Sequence, residues 1–128
     1  MSILKQKVKG VAKPITAVTS VAFAPDLTKK VTLSPTKVKI GTYPAVYAQA
    51  PADGWISLRM DCSEAGLLIF WTDTQVPTTG DVHSFRSYRS RGTEAQVIMP
   101  IRKGEYAVAI NNNASATIAT TYCEFCPV

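Results

Sequence analysis

The stretch Gly54 to Thr72, GWISLRMDCSEAGLLIFWT, leaves a chain of this length few choices of fold. Ile56, Leu58, Met60 and Cys62 fall on one side of an extended chain, and Ser57, Arg59 and Asp61 on the other. That is the period-two pattern of a strand with one dry face and one wet face. After Ser63-Glu64-Ala65-Gly66, the run Leu67-Leu68-Ile69-Phe70-Trp71 has no polar side. Both of its faces need cover, the core on one side and something else on the other. The run is far too short to span a membrane. A strand buried on both faces in a small antiparallel domain points to a partner chain. Leu67, Leu68, Ile69, Phe70 and Trp71 are therefore the expected subunit contact, with either Leu68 and Phe70 or Leu67, Ile69 and Trp71 losing solvent only on assembly.

From Gly41 onward the punctuation is regular. Gly54, Gly66, Gly80, Gly92 and Gly104 recur every 12 to 14 residues, the spacing of short strands in a sandwich. Strands are expected near Tyr43 to Gln49, Trp55 to Asp61, Leu67 to Thr72, Val82 to Arg89, Thr93 to Met99, Tyr106 to Asn111 and Ser115 to Phe125. In Tyr106 to Ile110 the larger residues share one face and the alanines the other. Val76 to Asp81, Ser90-Arg91-Gly92 and Asn111-Asn112-Asn113 read as loops. No stretch has helical periodicity. At 128 residues the chain has a single-domain length, enough to bury a core without staples.

Charge divides the chain into two parts, residues 1–40 and residues 41–128. Residues 1–39 hold Lys5, Lys7, Lys9, Lys13, Lys29, Lys30, Lys37 and Lys39 against the single acid Asp26, a sum of +7. The remainder sums to −2, so the whole net +5 comes from the N-terminal third. Alternation in Ile15 to Phe23 and in Lys37 to Ile40 suggests extended pieces, interrupted at Pro14, Pro25 and Pro35. The segment reads as a basic extended arm that could reach on the order of 130 Å, or else as an edge strand with a solvated tail. A lysine arm could meet phosphates through counterion release. However, it has no arginine and only one aromatic residue, Phe23, whereas nucleic-acid grooves interleave such groups. Its β-branched residues favour strand addition onto a protein with an acidic surface.

Residues suited to chemistry are sparse. The only histidine, His83, sits in Asp81-Val82-His83-Ser84-Phe85, where adjacent strand residues point to opposite faces and cannot form a local triad. Asp53, Asp61, Glu64, Asp73, Asp81, Glu94 and Glu105 mostly sit at turn edges, where carboxylates are common for local reasons. Metal binding through Asp73 and Asp81 is a weak prospect, and no phosphate-cradling glycine loop is present. Cys123 and Cys126 have the spacing of half a zinc site without a second half. In a strand they lie about 10 Å apart, too far for a disulfide. With Cys62 they read as reduced packing thiols. Neither an enzyme nor a cofactor is expected. The cluster Arg86, Tyr88, Arg89 and Arg91 could contact an acidic partner. Arg86 and Tyr88 would share a strand face, with Arg89 opposite and Arg91 in the following turn. Equally, the arginines could guard a solvated edge.

Two turn signatures resemble a known family. Gln49-Ala50-Pro51-Ala52-Asp53-Gly54-Trp55-Ile56-Ser57-Leu58 and Val97-Ile98-Met99-Pro100-Ile101-Arg102-Lys103-Gly104-Glu105-Tyr106 are similar to the strand entries of trimeric jelly-roll domains. These are the complement-globular-head and tumour-necrosis-factor-like domains, with similar ones in tailed-bacteriophage virions as capsid decoration (cement) proteins and tail-fibre heads. The resemblance covers roughly residues 42–126. It implies an all-β, antiparallel jelly-roll sandwich with an extended N-terminal arm, assembled as a homotrimer. Members in animals are secreted and often carry a collagen-like stalk, and fibre heads follow a long shaft. A chain with neither looks more like a decoration protein, made in the host cytoplasm and bound to the major capsid protein on the virion surface, with no membrane. Two rivals are a receptor- or glycan-binding head, using Trp55, Trp71 or Tyr88, and a small coat protein that packages nucleic acid.

Overall fold

The computed structural model describes residues 24–78 and 87–128. Expectations for Lys5, Lys7, Lys9, Lys13, Asp81, His83 and Arg86 lie outside the described residues. The rest is β apart from one 3-10 turn at Leu27–Lys29: β1 Val31–Leu33, β2 Thr36–Ile40, β3 Tyr43–Gln49, β4 Gly54–Asp73, β5 Tyr88–Ile101, β6 Tyr106–Asn111 and β7 Ile118–Pro127. Every pairing is antiparallel. The all-β, antiparallel expectation therefore holds.

One strand organises the molecule. The two strands expected on either side of Ser63 to Gly66 are a single 20-residue β4, whose register shifts between Asp61 and Gly66. Its first half pairs with β7 and its second half with β6, while β5 follows its other edge along both halves. The seven strands form one continuous hydrogen-bonded sheet, which the bend folds into two layers, β1-β7-β4-β5 and β2-β3-β6-β4-β5, called here the first and second sheets, with β4 and β5 passing from one to the other. Bulged strands that switch sheets are how sandwich corners are made. β5 also runs straight through Ser90-Arg91-Gly92, read from composition as a loop, because Leu68, Leu67 and Gly66 of β4 supply its ladder partners. Ladder pairing overrides local turn preference here. At the other end, Lys103 and Gly104 turn the chain from β5 into β6, and Gly104 takes φ +85°, which suits a residue without a Cβ.

The inner faces of both sheets share one core. Ile56, Leu58 and Met60 from the first half of β4 meet Leu68 and Phe70 from the second half, with Val46, Ala107, Ala109, Met99, Cys123 and Phe125 between them. Phe70 is 0% exposed within the single chain. Leu68 and Phe70 are core residues of the monomer, so their burial requires no second subunit.

The opposite face of the second sheet carries its own apolar layer. Thr36, Tyr47, Val108 and Trp71 form one in-register row across β2, β3, β6 and β4. Val38, Ala45, Ile110, Ile69 and Arg89 form the next, ending on β5. Side chains opposite one another in register share a face. Ile40, Ala45, Trp71, Val108 and Ile110 are buried there, with Val38, Tyr43, Tyr47, Ile69 and Tyr106 packed against them. Tyr47 and Tyr106 meet edge to face at 5.7 Å, a favoured aromatic geometry. On β6 the small alanines point into the shared core and the larger residues point outward into this layer. The second covered face that the apolar run demands is therefore real, but Trp71 is 0% exposed in the isolated chain. Only Leu67 and Ile69, half-buried, keep surface for a partner.

The arm does not extend to residue 40. β1 pairs with β7 and β2 with β3, and the Asp26 amide donates to the Pro127 carbonyl at 2.7 Å. Residues 26–40 belong to the body, held there by ladder bonds that charge composition cannot reveal.

Candidate interaction surfaces

Of the eight lysines before residue 40, the four in the described residues are all exposed, but they differ in setting. Lys29 ends the 3-10 turn and Lys30 follows it, while Asp26 caps its start: the Asp26 carboxylate accepts from the Thr28 amide and hydroxyl at 3.1 and 2.6 Å. Lys29 reaches the same carboxylate at 3.9 Å and Lys30 reaches Glu124 of β7 at 3.1 Å. Lys37 and Lys39 alternate with Val38 and Ile40 on β2, an outer strand of its sheet. Charged residues on such a strand oppose further pairing, so these two fit edge protection as well as partner contact.

The Tyr122 hydroxyl, followed by the Lys30 ammonium, holds the Glu124 carboxyl below its ordinary range. A carboxyl whose pKa falls on folding adds stability above the unfolded-state value, and that stability is lost as pH drops through the folded-state value. Melting temperatures of the wild type and Glu124→Gln should therefore differ near neutral pH and converge on acidification through the carboxylate range. Curves that stay parallel would show that Glu124 contributes nothing through its charge. The difference should be small, because the group is solvent-screened.

The arginine cluster is only partly assembled. Tyr88 packs half-buried against the inner core and pairs with Phe70. Arg89 and Arg91 point to the other face, opposite Ile69 and Leu67. Arg91 thus stands on the strand beside Arg89, not in a turn. Both are exposed, and among the described residues neither has a carboxylate partner. Arg59, by contrast, is engaged: it bridges Asp61 at 2.9 Å and Glu94 at 2.6 Å, which lie opposite each other on β4 and β5.

Of the carboxylates considered for chemistry, Asp61 and Glu94 are held by Arg59 and three others have structural partners. Asp53 accepts from the Lys103 amide at 2.8 Å, Glu105 from the Arg102 amide at 2.9 Å, and Asp73 from the Trp71 indole at 3.3 Å. Among the described residues, no three His, Cys, Asp or Glu side chains group to hold a metal ion, and no helix is long and apolar enough to cross a membrane. Cys62, Cys123 and Cys126 are free and buried. Burial, then the Glu124 charge, pushes the Cys123 thiol up to about 12, so it stays protonated and unreactive. Trp71, fully buried, cannot stack on a sugar, whereas Trp55 and Tyr88 are half-buried.

Sequence reasoning missed two features. Asn111, Asn112 and Asn113, read as a loop, clamp the β4 bend. Asn111 donates to the Glu64 carbonyl at 3.2 Å, Asn112 accepts from the Leu67 amide at 2.9 Å, and Asn113 donates to the Ala65 carbonyl at 2.8 Å. Three consecutive amide side chains beside a strand end were the available signal. The second is an open groove of about 420 Å³ on the outer face of the first sheet, walled by Pro25, Leu27, Trp55, Ile98 and Cys126. Its trace in the sequence is Ile98, an apolar residue following Glu94 and Gln96 on the wet side of its strand.

No family model, curated protein or solved structure matches the chain.

Proposed function

We propose that this is a structural virion protein, a phage capsid decoration protein that trimerises, binds the outer capsid surface and stabilises the shell. The observation that carries the reading is the placement of charge: residues 1–25 carry four lysines and no acid, four more lysines stand exposed on the body at Lys29, Lys30, Lys37 and Lys39, and residues 41–128 are nearly neutral. A basic segment attached to a rigid body suits tethering to an acidic protein surface, with avidity from three linked copies. The number of strands fits the jelly-roll part of the reading. With each half of β4 and β5 counted separately, β1, β7, β4 and β5 form one sheet and β3, β6, β4 and β5 the other, with β2 added at its edge. That makes eight strands in two sheets, the jelly-roll number, plus one edge strand. The trimer contact then falls on Leu67 and Ile69 with Arg89 and Arg91 beside them, the exposed margin of an otherwise buried face. No covalent step is assigned to any residue.

Deleting residues 1–23 tests the reading. The truncated protein is expected to fold and to keep the native mass of a trimer, but to lose binding to capsids. Full decoration by the truncated protein would refute the tether. Retained glycan binding with no affinity for capsids would favour a tail-fibre head, and density inside the shell against the genome would favour a packaging coat protein.

A further inference from the structure

The outer face of the first sheet is uneven in a way that tethering does not explain. Its in-register rows pass from Thr120-Asp61-Glu94 and Tyr122-Arg59-Gln96 at one end to Glu124-Ser57-Ile98 and Cys126-Trp55-Pro100 at the other. The first two rows are polar and satisfied, with Arg59 clipping Asp61 to Glu94 and Gln96 donating to Ser57 at 2.7 Å. The last two carry the groove. Leu27 and Ile98, which both line it, are 72% and 62% exposed, the two largest values among the described large hydrophobic residues. Apolar surface held open by its own fold calls for an occupant.

Chain connectivity nominates one. Pro25 and Leu27 are fixed as a groove wall by the bond from Asp26 to Pro127 and by the capped 3-10 turn. Phe23 precedes Pro25 by two residues, so its Cα lies within about 7 Å of that wall whatever course the chain takes. The stretch Ile15 to Phe23 carries no charge, and Val21 and Phe23 stand two apart in sequence, the spacing that places side chains on one face of an extended chain. β5, which supplies Ile98, pairs with β4 alone among the described residues, so no described strand occupies its other edge.

We propose that this groove is the seat of Phe23 and Val21 of the same chain. The uncharged segment 15–23 then leaves the body across that edge of β5, and the lysines before it are presented from that side. Docking the arm here fixes its exit direction. The proposal needs no capsid and stands apart from the virion reading.

The test uses the full chain carrying Phe23→Cys and Ile98→Cys, with Cys126→Ser so that no native groove thiol competes. Under mild oxidation an intrachain disulfide is expected to form roughly tenfold or more faster than in the control Ala22→Cys with Ile98→Cys, which is as near along the chain but points away from the groove when Phe23 and Val21 are docked. An interchain disulfide alone would assign the groove to a second copy and overturn the proposal, as would a rate equal to the control. In the unmutated protein, nuclear Overhauser contacts between the Phe23 ring and the Ile98 methyls give an independent reading. A sample mixing labelled and unlabelled chains separates contacts within a chain from contacts between chains. Absence of intrachain contacts there overturns the proposal even where the cysteine variants fail to fold.

Discussion

Phe70→Ala is expected to lower the unfolding free energy by about 3–5 kcal/mol, the usual cost of removing a large aromatic side chain from a close-packed core. The loss should be the same at every protein concentration. Phe70 is fully buried among residues of both sheets within one chain, so the cavity is paid for by the monomer. Trp71→Ala should behave likewise from the opposite face of the same strand, where the indole is fully buried beside Val108. Denaturant midpoints measured over a wide range of dilution give the answer. Were either residue a subunit contact, its variant would approach wild-type stability on dilution, because the stability of an interface depends on protomer concentration. Leu67 and Ile69, half-buried on the outward side, serve as the contrast. Their polar variants should change native mass more than monomer stability if the trimer contact lies there.

Gly66→Ala should cost about 1–3 kcal/mol or more, as overpacking at a rigid site does. A Cβ on Gly66 would land on Asn111 Oδ1 and would also press on Asn113 Cβ at 3.0 Å. Neither amide can withdraw cheaply. Asn111 is 0% exposed, donates to the Glu64 carbonyl and accepts from the Asn113 amide at 2.9 Å. Asn111→Ala alone should therefore cost a further ~1–3 kcal/mol, the penalty for leaving buried polar partners unmade. The two losses should not add. With Asn111 truncated, the main obstacle to the new methyl is gone, so the double variant should be more stable than the sum predicts by about 1–2 kcal/mol, within the range for coupled neighbours. Contact with Asn113 keeps the relief incomplete. Strict additivity in urea denaturation would mean that the β4 bend does not depend on this contact.

The residues that were legible in advance are those whose role is local. Period-two alternation in Ile56 to Cys62 identified the inner face of β4, and the strands Tyr43–Gln49 and Tyr106–Asn111 appear as expected. Side-chain period is a property of the extended backbone, so it can be read without knowing the partner strand. The surface features were less legible. Lys37 and Lys39 look like arm residues in a charge count, yet they sit in β2, because strand pairing depends on residues far away in sequence. Arg91 looked like a turn residue until β4 supplied its ladder. The groove at Trp55 unites residues 25 and 27 with residues 98 and 126, which no local pattern connects.

Taken alone, the sequence determined that the body is β, that Leu67 to Trp71 must be covered on both faces, and that positive charge is gathered before residue 40. These follow from backbone period, burial of apolar area and residue count, all of which are local or additive. Tertiary structure decided where the cover comes from. By bending β4 at a glycine clamped by three asparagines, it gives Leu68 and Phe70 one sheet's inner core and Trp71 an apolar layer on the other side, within a single chain. Whether a face is covered from within or by a neighbour depends on strand order and on hydrogen bonds between positions about 45 residues apart. An apolar pattern records the need for burial, and only the fold assigns the surface that meets it.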